Sequence, residues 1–202
     1  MPNVETIVNM KTVFRNTLAA FVIATSTLMS CEPAPEDLLI RHFIIKKGEH
    51  YSTPRLAEML QSKRLRFKAT FDESAIYDFN DAALQTNKNK LLGFSDCNSL
   101  HHENSARFAW QWLNDRLEIY AYCYVGGERV EQFVGVVNIN EENEYEIELT
   151  SHGYIFYLNN EKITTIARSN SCDQGAYYML YPYFGGSEPA PHQVRIDISM
   201  IR

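Results

Sequence analysis

Apolar and polar residues alternate with a period of two along most of the chain after residue 38. The alternation is clearest in residues 64–71, 116–125 and 194–200. Because successive side chains of a β-strand point to opposite faces, each segment is expected to form a strand with one apolar face. No long stretch with a helical period competes with this pattern. The chain is therefore predicted to consist mainly of antiparallel strands.

Short polar turns separate several of these strands. Asn114-Asp115, Gly126-Gly127 and Asn159-Asn160 each stand between two alternating segments. These residue types tolerate the positive φ angles that two-residue hairpins require. Three successive hairpins predict a meander.

We predict an all-β fold, an antiparallel β-sandwich of jelly-roll type over residues 38–202 with one or two short helices; a closed barrel is the alternative. The long connections at 72–90 and 168–176 suit loops that cross between two sheets. One short helix is expected at Arg55–Gln61, after a Ser-Thr-Pro cap, and a further turn is expected near Asp81–Gln85.

The charge balance argues against a nucleic-acid partner. The chain has 25 acidic and 19 basic residues, and its net charge is −6. Binding a phosphate backbone needs a concentrated basic surface, which this composition does not indicate.

The first 30 residues resemble a bacterial lipoprotein signal peptide. Lys11 and Arg15 precede an apolar stretch that ends in Leu28-Met29-Ser30-Cys31, which resembles a lipobox. The resemblance implies lipidation of Cys31, a tether over 31–37 and a membrane-anchored protein of the cell envelope, on the periplasmic or the outer side of the outer membrane. The alternative is an ordinary signal peptide or a buried N-terminal helix with a chance cysteine.

Cysteine number limits the disulfides. If Cys31 carries lipid, then Cys97, Cys123 and Cys172 remain, and at most one intramolecular disulfide can form among them. Their spacing contains no Cys-x-x-Cys pair, so a zinc site is not predicted.

The densest polar cluster is the predicted loop between strand-like residues 90–95 and 106–112. Loops at one end of a sandwich commonly carry binding groups, so this loop is the first candidate site. Its candidate ligand-binding residues are Asp96, Asn98, His101, His102 and Glu103. The alternative is a polar loop whose Asp and Asn side chains cap the backbone. Asp96, Asn98 and Glu103 carry oxygen ligands that could bind calcium. They lack EF-hand spacing, so no cofactor or metal is predicted.

A second candidate surface lies on the strands after this loop. Phe108 and two tryptophans share one strand face, which is expected to turn inward. Arg107 on the opposite face, together with Tyr120 and Tyr122 of the next strand, would suit a sugar, which offers hydroxyl groups and an apolar ring face. The alternative is an ordinary solvated face with cross-strand tyrosine pairs.

The segment from Tyr177 to His192 is predicted to be structural, because its Gly-Gly and Pro residues permit a sharp reversal before the last strand.

Four segments together resemble a group of uncharacterised Bacteroidota lipoproteins. They are 93–96, 101–108, 117–124 and 181–192. The last is also similar to the closing strands of concanavalin-like jelly rolls such as those of polysaccharide lyases and laminarinase-type enzymes. The resemblance implies glycans as the ligand class and carries no catalytic residues with it.

Three functions remain open. A non-catalytic glycan-binding or scaffold lipoprotein is preferred, since no pair of acids with glycosidase spacing occurs; Glu144, Glu146 and Glu148 are expected on the wet face of an edge strand. A lyase could use His101 or His102 with Arg107 and Tyr122. The third is an envelope subunit that binds another envelope protein through a sheet edge.

Overall fold

The computed structural model describes residues 40–169 and 177–201. The expected signal peptide, tether and lipidation site, Cys31, lie outside the described residues, as does Cys172. Among the described residues no helix is long and apolar enough to cross a membrane.

Twelve antiparallel strands make up most of the described residues, and two short helical turns accompany them. The strands are β1 Ile40–Ile45, β2 Ser52–Thr53, β3 Arg64–Phe71, β4 Asn89–Ser95, β5 Asn104–Leu113, β6 Arg116–Val125, β7 Glu128–Val137, β8 Asn143–Leu149, β9 Gly153–Leu158, β10 Glu161–Ala167, β11 Met179–Leu180 and β12 Val194–Met200. A 3-10 turn spans Glu73–Ala75, and helix α1 spans Ala82–Gln85 with Asp81 as its N-cap.

The strands form two sheets packed as a sandwich. The larger sheet has the order β10-β9-β8-β3-β12-β1-β2, and the smaller has the order β11-β4-β5-β6-β7. The connection between β3 and β4 crosses from one sheet to the other, as expected. This arrangement confirms the prediction of an antiparallel jelly-roll sandwich with short helices.

Aromatic side chains fill the space between the sheets. Phe67 stacks on Tyr145 within the larger sheet and meets Phe108 of the smaller sheet edge to face. Trp110 packs against Phe71 across the interface with the two rings tilted at 59°. All five side chains are buried, so the apolar face predicted for β5 does turn inward.

The three predicted hairpin turns are confirmed. Both central residues of Asn114-Asp115, Gly126-Gly127 and Asn159-Asn160 have positive φ. These turns connect β5 to β6, β6 to β7 and β9 to β10.

Two local predictions are wrong. Residues 55–61 form no helix, because their backbone bonds to a distant segment instead: Leu60 N donates to Tyr177 O, and Met179 N donates to Glu58 O. The β8 strand is not an edge strand but lies between β3 and β9. Its outward glutamates are therefore paired across the sheet with arginines of β3, as in the 2.7 Å contact between Arg66 and Glu144.

Candidate functional site

A groove of about 580 Å³ lies on the face of the smaller sheet that points away from the core. It crosses strands β4, β5, β6 and β7, and residues 51–56 and 179–186 form its wall. Five of its side chains are cationic, five are tyrosines and two are imidazoles: Arg55, Lys88, Lys90, Arg107, Arg129, Tyr51, Tyr122, Tyr124, Tyr181, Tyr183, His101 and His102. Among the described residues that line it, Glu131 is the one carboxylate. The groove is thus strongly basic in a chain whose net charge is −6.

Arg107 lies at the floor of the groove because Phe108 and its neighbours alternate toward the core. It stands opposite Gly93 of β4 and Tyr122 of β6. A side chain at position 93 would collide with the Cβ of Arg107 at 2.1 Å, so the glycine is what lets the two strands approach here.

The guanidinium of Arg107 is fixed by one hydrogen bond, but not all of its donors have a partner among the described residues. Its side chain is 7% exposed, and its Nη2 donates to Tyr181 O at 2.8 Å. Its buried Nε has no hydrogen-bond partner among residues 40–169 and 177–201. Burial lowers the pKa of Arg107 to about 10, so the group remains charged at neutral pH. Because Arg107 lines the groove, its buried guanidinium with one unpaired donor is a position for an anion.

Lys90 extends the basic floor toward the wall. Its Nζ donates to Lys88 O at 2.8 Å and to Gly185 O at 2.9 Å. It also lies 5.1 Å from the ring centroid of Tyr122 and 5.7 Å from that of Tyr183. Burial, followed by the charge of Arg107, lowers the pKa of Lys90 to about 8.

The two histidines lie at one end of the groove, on the loop between β4 and β5. Their ring centroids are 4.0 Å apart, and His102 meets Tyr124 edge to face. Burial is the largest cause that lowers the pKa of His101 to about 4, and the neighbouring His102, Arg107 and Lys90 add to it in that order. His101 is therefore a neutral imidazole at pH 7 and a weaker base than an exposed histidine.

The opposite side of the groove is formed by β6 and β7. Burial raises the pKa of Tyr122 to about 12, so its phenol stays protonated. Arg129 and Glu131 of β7 form an ion pair, with Nε and Oε1 3.1 Å apart. Arg55 stacks over Tyr51 at 4.7 Å on the wall. Tyrosine side chains and cationic side chains therefore line the groove together.

The structure brings four of the eight candidate residues from the sequence into the groove: His101, His102, Arg107 and Tyr122. Asn98 and Glu103 are exposed and do not line it. Tyr120 lies beside it, under the ammonium of Lys88 at 4.2 Å, and donates to Glu118 at 2.6 Å.

Asp96 does not face the groove. Its side chain is fully buried and accepts hydrogen bonds from Arg168 at 2.6 and 2.8 Å and from Tyr154 at 2.7 Å. It fixes the start of the histidine loop rather than offering its oxygens to a ligand. Among the described residues no three His, Cys, Asp or Glu side chains converge as they would around a metal ion.

The face that carries Arg107 was expected to be available to a ligand, but Arg107, Ala109 and Gln111 on that face are all buried, and Gln111 bonds to Lys88, Glu118 and Tyr120. The sequence interpretation also missed the residues that complete the groove. Tyr181 and Tyr183 belong to the segment that was expected to be only structural, and Lys90 and Arg129 lie on strands either side of β5 and β6. The one available sequence signal for these residues was the pair of lysines at positions 88 and 90, at the start of the strand before the histidine loop.

Cys123 is a free thiol buried in the core, whereas Cys97 is disulfide-bonded. The partner of Cys97 lies outside the described residues.

The fold resembles solved structures of polysaccharide-degrading enzymes. The alginate lyase AlyC3 matches with a TM-score of 0.56 and 9% identity over 80% of this chain and 73% of its own. A double variant of alginate lyase Aly36B in complex with an alginate trisaccharide matches with 0.53 and 12% over 80% and 81%. The catalytic domain of a laminarinase from Thermotoga petrophila RKU-1 matches with 0.53 and 10% over 80% and 75%.

At such low identities, these structural matches establish a shared jelly-roll fold and nothing about the reaction. No protein-family model matches the sequence, and no curated protein matches it either.

Proposed function

We propose that the groove binds an acidic glycan. The observation that carries this proposal is Arg107, a buried guanidinium in the lining of the groove whose Nε has no hydrogen-bond partner among the described residues. Arginine binds a carboxylate or sulfate through directed N–H donors, and the low exposure of this one strengthens the interaction.

The rest of the groove supports a sugar as the carrier of that charge. Tyr122, Tyr124 and Tyr183 line the groove, and tyrosine brings both an aromatic ring and a hydroxyl group to a sugar. The structural neighbours AlyC3 and Aly36B are alginate lyases, and one of these structures holds an alginate trisaccharide. An anionic carbohydrate fits both features of the groove.

A second candidate function is cleavage of that glycan by β-elimination. His101 is a neutral imidazole in the same groove as Arg107 and Tyr122. In such a reaction His101 would take the proton from the carbon beside the uronate carboxylate while Arg107 neutralises that carboxylate. The C–O bond to the next sugar then breaks, a carbon–carbon double bond forms, and the phenol of Tyr122 protonates the departing oxygen.

Hydrolysis by two carboxylates is less well supported than elimination. Retaining and inverting glycosidases both need a pair of acids that flank the bond. Among the described residues of the groove, Glu131 has no second carboxylate beside it.

Calorimetric titration with an acidic and a neutral oligosaccharide of equal length tests the binding proposal. The protein should bind the acidic sugar, and Arg107→Met should weaken that binding at least tenfold (roughly 1.4 kcal/mol) because the buried cation is lost. Lys47→Met, which removes an exposed cation outside the groove, is the matched control. Equal affinity for both sugars would refute the proposal.

The ultraviolet absorbance of new unsaturated ends separates cleavage from binding. If the protein is a lyase, absorbance should rise with polymers that contain uronic acid, and His101→Gln and Tyr122→Phe should each abolish the rise while the sugar still binds. Binding without any rise would exclude the lyase and leave a binding module.

We also propose that the protein is held at the cell envelope by lipid on Cys31, as its lipobox-like sequence suggests. Fractionation of cells that express Cys31→Ala tests this. The variant should leave the membrane fraction, and retention there would contradict the anchor.

A further inference from the structure

Glu131 is out of place in a groove that otherwise carries cations. It lies on β7, the edge strand of the smaller sheet, and its side chain is 25% exposed. A groove without this carboxylate would attract a polyanion more strongly. Glu131 therefore affects which anionic ligands the groove can bind.

The register of the sheet places Glu131 in one row with the anion position. Arg107 stands opposite Tyr122, and Tyr122 stands opposite Glu131. Two strand spacings of about 4.8 Å separate the backbones at Arg107 and Glu131, which gives about 10 Å. Because the groove crosses the strands, an oligosaccharide bound along it would contact Arg107 with one sugar unit and Glu131 with a unit close to it in the oligosaccharide.

Glu131 places a negative charge in the groove beside a cation that is itself largely exposed. Its ion pair with Arg129 is 3.1 Å long, and Arg129 is largely exposed, with 61% of its side chain accessible. Glu131 also acts on the groove floor, where its negative charge favours the charged forms of Lys88 and Lys90. A second carboxylate brought beside it would be repelled in a partly desolvated setting, whereas hydroxyl and amide N–H groups would find an acceptor.

We propose that Glu131 determines glycan specificity: the groove accepts a chain in which an acidic sugar at Arg107 is followed by a neutral or N-acetylated amino sugar at Glu131, and it disfavours homopolymers of uronic acid. This inference rests on the proposed function, since it names the class of acidic glycan that the same groove binds. The repulsive element supplies the discrimination, and Arg107 supplies the affinity.

Titration with two probes tests this proposal. One probe is an oligosaccharide of alternating uronic acid and N-acetylhexosamine, and the other is an oligouronate with the same number of carboxylates. The wild-type protein should bind the alternating probe several-fold more tightly. Glu131→Gln should raise the affinity for the oligouronate several-fold and leave that for the alternating probe nearly unchanged.

Glu128→Gln is the matched control, because Glu128 lies exposed at the start of the same strand and does not line the groove. It should leave the ratio of the two affinities as in the wild type. If Glu131→Gln strengthens both probes equally, Glu131 merely neutralises Arg129 and the specificity proposal is overturned. If neither probe binds the wild-type protein, the proposed function itself fails, and the two failures are thus distinct.

Discussion

At the scale of single residues, the most consequential polar group outside the groove is Asp96. It is fully buried between Arg168 and Tyr154, and the side chain of Arg168 is itself only 7% exposed. Such a pair contributes little over an apolar pair, but removal of one member leaves the other charge buried without a partner. The carboxylate therefore holds the beginning of the histidine loop in place.

Asp96→Asn should lower the free energy of unfolding by about 3 kcal/mol, since the guanidinium of Arg168 loses its counter-charge. Urea unfolding followed by tryptophan fluorescence measures this loss. Glu103→Gln, an exposed change on the same loop, should alter stability by less than about 0.5 kcal/mol. A loss below about 1 kcal/mol for the Asp96 variant would show that water or another group compensates the cation.

Lys90 gives the groove a pH dependence. Its pKa of about 8 in the free protein should rise when a carboxylate binds beside it, so binding takes up a proton above that pH. Affinity for an acidic oligosaccharide should therefore fall as the pH rises from about 7 to about 9, a range below the pKa of Arg107.

Titrations across that range measure the slope, and Lys90→Met should bind more weakly with a flat profile. Lys88, whose pKa burial also lowers, is the other ammonium near the groove floor. A slope that persists in Lys90→Met would assign the titration to Lys88 instead.

At the scale of elements, the close approach of β4 and β5 sets the depth of the groove. A Cβ at position 93 would lie 2.1 Å from the Cβ of Arg107 and 2.3 Å from the carbonyl oxygen of Ala106, and neither can move without the strand. Gly93→Ala should therefore destabilise the protein by about 3 kcal/mol and displace Arg107, which would also weaken binding of acidic sugars.

The matched comparison is Gly135→Ala on β7 of the same sheet. The added methyl group there would meet only the side chain of Leu158 at 3.1 Å, which can shift, so the loss should stay below about 1 kcal/mol. Thermal unfolding of both variants checks the difference. Equal losses would mean that the β4–β5 contact relaxes more easily than the backbone clash indicates.

The sequence predicted the strands and hairpins well because their signals are local. The alternation in 116–125 and the positive-φ residues of Gly126-Gly127 act within a few positions of the chain. Residues 55–61 failed as a helix because their hydrogen bonds go to residues 177–179, which no local pattern reveals. The place of β8 inside its sheet was missed for the same reason, since strand order is set by contacts distant in sequence.

The groove was only half predictable by the same logic. Arg107 and Tyr122 were found because they alternate with core residues on two strands joined by a hairpin. Arg55, Lys90 and Tyr183 reach the groove from segments far apart in the chain, and only the folded sandwich places them together. The burial that depresses the pKa of Lys90 and of His101 is likewise a property of the assembled groove.

At the scale of the whole molecule, the charges are sorted between surfaces. The chain carries a net charge of −6, yet the groove collects five cationic side chains around a single described carboxylate. On the opposite sheet, arginines and glutamates of β3 and β8 neutralise one another, as in the pair of Arg64 and Glu148. A polyanion is therefore repelled at a distance and attracted only where it can enter the groove.

Salt should separate the exposed cations of the groove from the buried one. Arg55 and Arg129 are exposed, so their attraction to an acidic glycan is screened within about 3 Å at 1 M salt, whereas Arg107 is shielded from ions by its burial. Wild-type affinity for an acidic oligosaccharide should fall about tenfold between 0.1 and 1 M salt.

Arg55→Gln combined with Arg129→Gln should flatten this dependence by at least half, while Arg107→Met should lower affinity at every salt concentration and keep the wild-type slope. Lys46→Gln combined with Lys47→Gln, two exposed cations outside the groove, should leave the slope unchanged. If Arg107→Met removes the salt dependence instead, Arg107 is screened by solvent ions as the exposed cations are, and its burial does not protect the anion position.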